Sequence, residues 1–167
     1  MTATALGTTL QGPNPIDLIE EVVLANEWPH DRASDEELVV EIAGRWCGYR
    51  LLFVWQRETS ALHFSCSFEM KVPRLRRAAV YELLAVVNER LWLGHFDLAP
   101  DDFSPSFRQG VLLRGASGAS VEQIEDLVDI SVTECERFYP AFQFVVWGGK
   151  GAEEAIASAM IEPIGEA

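Results

Sequence analysis

The stretch Ser120–Trp147, SVEQIEDLVDISVTECERFYPAFQFVVW, decides the fold of this chain, because it reads at one helical period from end to end. Projected at a helical repeat, Val121, Ile124, Leu127, Val128, Cys135, Phe138, Phe142, Val145 and Val146 share one side. Glu125, Asp126, Asp129, Glu136 and Arg137 fall on the other side, and Pro140 falls with them. A proline inside a helix removes one hydrogen bond and crowds the preceding turn, so it kinks or ends the helix. Here the apolar stripe resumes beyond it, and the pattern predicts one long helix with a kink on its solvent side. Ser120 and Gln123 stand at capping-box spacing at its start. Gly148-Gly149 follows its end as a C-terminal cap. The same projection leaves Phe144 and Trp147 off the apolar side, so either the following tail, through Ala155, Ile156 and Met160, or a second molecule must cover them.

Working back from this helix, the period switches. Leu38, Val40 and Ile42, then Tyr49, Leu51, Phe53 and Trp55, then Leu62, Phe64, Cys66, Phe68 and Met70 each recur at every second residue. Short turns at Gly44–Gly48 and Glu58–Ser60 separate the three runs, which predicts an antiparallel meander with one well-buried face. The middle run also carries Leu52 and Val54 on its second face, so that face reads as partly covered too. His30 to Glu37 is highly charged and reads as a loop. Before it, Asn14-Pro15 starts a first helix striped by Ile16, Ile19, Val22 and Val23.

Pro73 opens a second helix to about Leu93, with Leu75, Ala79, Val80, Leu83, Leu84, Val86, Val87 and Leu91 covering half its circumference and Gly94 as its cap. Two further strands, His95–Leu98 and Phe107–Arg114, precede the long helix. A short helix from about Ala152 to Met160 ends the pattern. The order is α-β-β-β-α-β-β-α plus that tail helix. Helices gathered on one side of an antiparallel sheet make a two-layer α+β domain.

The chain has 167 residues, 49% of them apolar, and a mean hydropathy of +0.06, the profile of a single soluble domain with a full core. No apolar run approaches the roughly 20 residues that cross a bilayer. Met1 to Pro13 reads as a flexible tail and not a signal peptide, so residues 14–167 form the domain and the location expected is cytoplasmic. Twenty-six acidic against thirteen basic residues give a net charge of −13. That excess repels nucleic acid and anionic membranes and suits basic or neutral polypeptides.

Catalytic patterns are weak. His30, His63 and His95 stand at no metal-ligand spacing, and the odd set Cys47, Cys66 and Cys135 contains no CxxC. Cys66 lies on the apolar face of its strand, where a thiol stays protonated. Gly115–Gly118 precedes a helix but has no P-loop lysine, and Glu122 and Glu125 oppose an anion there. No cofactor or metal is expected. An enzyme using Cys66, or His63 with His95, is the rival reading, and a structural subunit of a larger assembly is another. Two features are not explained by folding alone. Lys71, Arg74, Arg76 and Arg77 put positive charge at the start of the second helix, against its dipole. Phe144 and Trp147 are the other.

The segments VNERLWLGHFDL (87–98) and ERFYPAFQFVVWGGK (136–150), together with LHFSCSF (62–68) running into Lys71-Val72-Pro73, resemble the YbjN-domain family of bacteria over most of the chain from Pro15 onward. Between Asp101 and Gln109 a Pro- and Phe-bearing turn replaces the plainer connection of that pattern. The resemblance implies a fold similar to type III secretion chaperones, in the helix and strand order just read, and a sensory-transduction regulator's role. It brings no catalytic residues. The expected function is therefore a non-enzymatic, regulator- or chaperone-like protein-binding module, homodimeric, with candidate contact residues Phe144, Trp147, Leu52, Val54, Arg74, Arg76 and Arg77.

Overall fold

Three helices lie against one face of a six-stranded antiparallel sheet, as the computed structural model shows for residues 12–161. The elements are α1 (Pro15–Ala25), β1 (His30–Ser34), β2 (Glu37–Ala43), β3 (Gly48–Gln56), β4 (Ala61–Phe68), α2 (Arg77–Asn88), β5 (His95–Leu98), β6 (Pro105–Leu112), α3 (Val121–Val146) and α4 (Ala152–Ile161). A 3-10 turn, Arg74–Arg76, leads into α2. The strands are ordered β1-β2-β3-β4-β6-β5. The tail expected over Met1 to Pro13 lies, up to residue 11, outside the described residues.

The register sorts the residues of β2 to β6 onto two faces. Val40, Leu51, Cys66, Phe107 and Phe96 form one row of the inner face, and all five are buried. Above them Phe138 and Phe142 of α3 descend onto Phe68 and Phe96, with ring centroids 5.2–5.9 Å apart in edge or tilted contacts. Such geometry sets the positive edge of one ring against the negative face of the next. Alpha-4 packs on α3 and α2 through Ala152, Ala155, Ile156 and Ala159.

Alpha-3 is a single helix of 26 residues, with both halves of the Ser120–Gln123 capping box formed. Pro140, however, is buried and not on the solvent side. Its missing N–H leaves the Glu136 carbonyl, four residues back, without its helical donor. The indole of Trp46 supplies one: Nε1 donates to that carbonyl oxygen at 3.0 Å. The Gly44–Gly48 turn folds over the helix at this point, and Trp46 stacks on Tyr139 with ring centroids 6.3 Å apart and planes 8° apart. Glu136 then accepts from the Arg45 backbone N–H through Oε1 at 2.6 Å. The turn that supplies this donor thus lies on Glu136 and Tyr139, next to the buried proline.

Four other expectations change. His30–Ser34 is a strand and not a loop; it pairs with β2 from His30↔Val40 to Ser34↔Glu37. Its Arg32 bridges to Glu20 at 2.6 Å and Asp17 at 2.7 Å, tying the sheet edge to α1. Alpha-2 ends at Asn88, not near Leu93, because Asn88 turns its side chain to β5, accepting from Phe96 N–H at 2.7 Å and donating to its carbonyl at 3.0 Å. Gly94 is no helix cap: it sits at φ +66°, where a Cβ would lie 2.3 Å from the Phe107 ring. Finally, β6 begins at Pro105, the first position of a strand, where the missing donor does least harm.

Candidate functional site

The catalytic candidates assemble only in part: Cys66 is set apart from the histidines, whereas His63 and His95 line one depression. Cys66 and His63 differ by an odd number of residues on β4, so the thiol faces the core while the imidazole faces outward. The Cys66 and Cys135 sulfurs touch at 3.6 Å, both buried, and burial pushes the Cys135 thiol well above its ordinary range. His63 lies 3.3 Å from Gln56 Oε1. It shares with His95 a shallow depression of about 300 Å³ that Leu52, Val54, Ser65 and Arg108 also line. Among the described residues no group of three His, Cys, Asp or Glu side chains could hold a metal ion. No described helix is long and apolar enough to cross a membrane.

The outer face of the sheet is a different surface. One cross-strand row runs Val39–Leu52–Ser65–Arg108–His95; a second runs Glu37–Val54–His63–Gly110; a third runs Glu41–Arg50–Ser67–Ser106–Asp97. Val39, Leu52 and Val54 are half-buried by their neighbours alone, since all of the described helices that pack on the sheet lie on its other face. This face opens into a broad concavity of about 1200 Å³. Glu37, Glu41, Glu69, Asp101 and Asp102 line it against Arg50, Lys71 and Arg108. Arg108 is already paired with Asp97 at 3.4 Å, so acid predominates. Ser104 donates to Asp102 Oδ1 from its hydroxyl at 2.7 Å and its N–H at 3.0 Å, which holds that carboxyl below its usual value.

The basic cluster divides. Arg76 donates from Nε to the Val145 carbonyl at 2.9 Å and from Nη2 to that of Lys150 at 3.2 Å. It thereby caps the negative end of α3, where helical carbonyls lack partners and a cation is favoured. The Arg77 guanidinium lies 3.3 Å from the centroid of the Phe103 ring, a cation–π contact. Arg74 and Lys71 are both exposed, and Lys71 lines the concavity of the outer face. Phe144 and Trp147 divide as well. Phe144 is half-buried, with the Lys150 ammonium 4.8 Å above its ring, whereas Trp147 remains 61% exposed.

One polar cluster carried no pattern in the sequence. Beneath the Trp46 turn the Tyr49 hydroxyl and Glu136 Oε2 are both buried without a hydrogen-bond partner. Burial pushes the phenol far above its ordinary range, and nearby Cys47 and Glu136 push in the same direction. Gly44 makes the site possible, because a Cβ there would meet the Tyr49 ring at 2.0 Å and Glu136 Oε1 at 2.5 Å. Its signal was a glycine facing an aromatic and an acid some 90 residues apart, which no periodicity reveals.

A model of the YbjN family, described as "Putative bacterial sensory transduction regulator", matches residues 15–144. The crystal structure of YbjN from E. coli, described as a putative transcription regulator, superposes with a TM-score of 0.50. The two are 12% identical over 89% of this chain and 90% of that one, a likeness of fold. No curated protein matches the chain.

Proposed function

Because the chain belongs to the YbjN family, we propose that it is a regulator-like binding module without catalytic activity, and that it docks a basic, amphipathic polypeptide segment on the outer face of its sheet. The family's description as a bacterial sensory transduction regulator supports the regulator-like part of this reading. The observation that carries the docking site is the half-buried apolar group Val39, Leu52 and Val54 on the outer face, with Leu52 lining the acid-rimmed concavity. Apolar side chains of a bound segment would cover these three residues. Its lysines or arginines would meet Glu37 and Glu41, with the chain's net charge of −13 steering the encounter.

Two synthetic peptides test this, one alternating Lys with Leu and one alternating Glu with Leu, titrated into the isotopically labelled chain. The Lys peptide should move the backbone amide signals of Val39, Arg50, Leu52 and Val54, and salt should weaken it. The Glu peptide should move none of them. Signals that stay fixed with both peptides, or that move only in the helices, would remove the sheet face from consideration.

A further inference from the structure

Alpha-2 presents a second surface with an unusual distribution of charge. Ala78, Tyr81, Glu82 and Ala85 fall on one exposed side of the helix, and Arg74 and Glu89 extend that side at its two ends. Tyr81 is 52% exposed; Leu75, just before the helix, is 92% exposed, and Trp92, just beyond it, 99%. None of Arg74, Glu82 and Glu89 forms an ion pair among the described residues. Both end charges oppose the helix dipole, since the cation sits at the positive end and the acid at the negative end. In the isolated chain this arrangement is unfavourable at each end.

It becomes favourable against a copy of itself. A two-fold axis passing between Tyr81 and Glu82 lays α2 antiparallel to the same helix of the partner, and an isologous contact of this kind repeats every pairing twice. Arg74 then faces the partner's Glu89, Ala78 faces the partner's Ala85, and Tyr81 faces the partner's Glu82. The alanines let the axes approach to about 8 Å, and a shallow crossing of about 20° keeps the ends together. Each arginine now lies beside the negative end of the opposite helix, so the charge placement that weakens one helix suits two. The exposed Leu75 comes to the end where the partner's Trp92 projects, which withdraws both from water.

We infer that the α2 surface is a homodimer interface, and that its partner is a second copy of this chain in antiparallel register. The inference adds a second copy to the binding reading above but uses the opposite side of the molecule, so the two can fail separately. Sedimentation equilibrium of the full chain decides it. Wild type should dimerise at micromolar concentration, Arg74→Glu and Glu89→Arg should each raise the dimer dissociation constant about tenfold or more, and the double variant should return it to within about threefold of wild type. All four residues concerned, native and substituted, are charged and exposed, and unchanged melting temperatures check that folding is intact. A wild-type monomer at about 100 µM, or a dimer that ignores both reversals, overturns the interface. Arg74→Glu should still bind the Lys peptide, and Leu52→Glu should still dimerise; a Leu52→Glu variant that becomes monomeric would place the dimer on the sheet face and sink this assignment.

Discussion

Leu51 and Leu52 are neighbours on one strand, and they belong to different parts of the protein. Leu51 points inward, 0% exposed, between Val40 and Cys66 and under the helices. Leu52 points outward, between Val39 and Ser65, and among the described residues nothing lies over it. The inner face is filled with aromatic rings that meet Phe138 and Phe142 of α3 edge-on or tilted. The outer face keeps the same side-chain chemistry at its centre but rims it with charge. The difference separates a surface that holds the fold from one available for a partner.

The largest effect should appear on the inner face. Phe142→Ala removes a fully buried ring from contact with Phe68 and Phe96 and should cost about 3–5 kcal/mol in urea denaturation. Val54→Ala, on the outer face, should cost less than about 1 kcal/mol in the same experiment. Similar losses for the two would erase the distinction between the faces.

The Trp46 turn sharpens the comparison, because it extends the inner face beyond the end of the sheet. Gly44→Ala drives a Cβ into the rigid Tyr49 ring and should lower stability by about 1–3 kcal/mol, read as a fall in melting temperature. Trp46→Phe keeps the stacking on Tyr139 but removes the donor to the Glu136 carbonyl, at a cost of about 1 kcal/mol. In a Pro140→Ala background the helix recovers its own N–H, so the Trp46→Phe cost should shrink. A double-mutant cycle with no coupling would show that the indole does not serve the proline.

The smallest effect belongs to the rim of the outer face. Asp102 is held below its usual carboxyl value by Ser104, so its contribution is present above the ordinary carboxyl pKa and disappears as pH falls through the lowered value. Asp102→Ala should cost about 0.5 kcal/mol at neutral pH. That difference from wild type should close under strongly acid conditions, which thermal melts at several pH values can follow.

Much of this was legible in the sequence. The stripe in α3 and the alternation of β2, β3 and β4 are hydrophobic periods, and burial follows them except at the ends, where Val121 is exposed and Ile42 and Trp55 are half-buried. Beta-1 was not legible, because His30–Ser34 is an edge strand held by backbone pairing and by Arg32, with no apolar alternation to reveal it. The burial of Pro140 has a related reason: projection treats a helix as isolated, and the Gly44–Gly48 turn that packs on Glu136 and Tyr139 beside it comes from far away in the chain. Arg76 and Arg77 read as surface charge because a carbonyl at a helix end and the face of a ring leave no pattern near them. Leu52 and Val54 did stand out, as apolar residues on the second face of a strand. That Val39 lies directly beside Leu52, with Val54 in the next row, needed the register.

The most direct measurement compares Leu51→Asp with Leu52→Asp, following both thermal unfolding and binding of the Lys-Leu peptide. Leu51→Asp should unfold the chain, whereas Leu52→Asp should melt within a few degrees of wild type, at an expected cost of about 0.5 kcal/mol, and lose the peptide. If Leu52→Asp unfolds the protein as well, or keeps full affinity for the peptide, the outer face is not the docking surface described here.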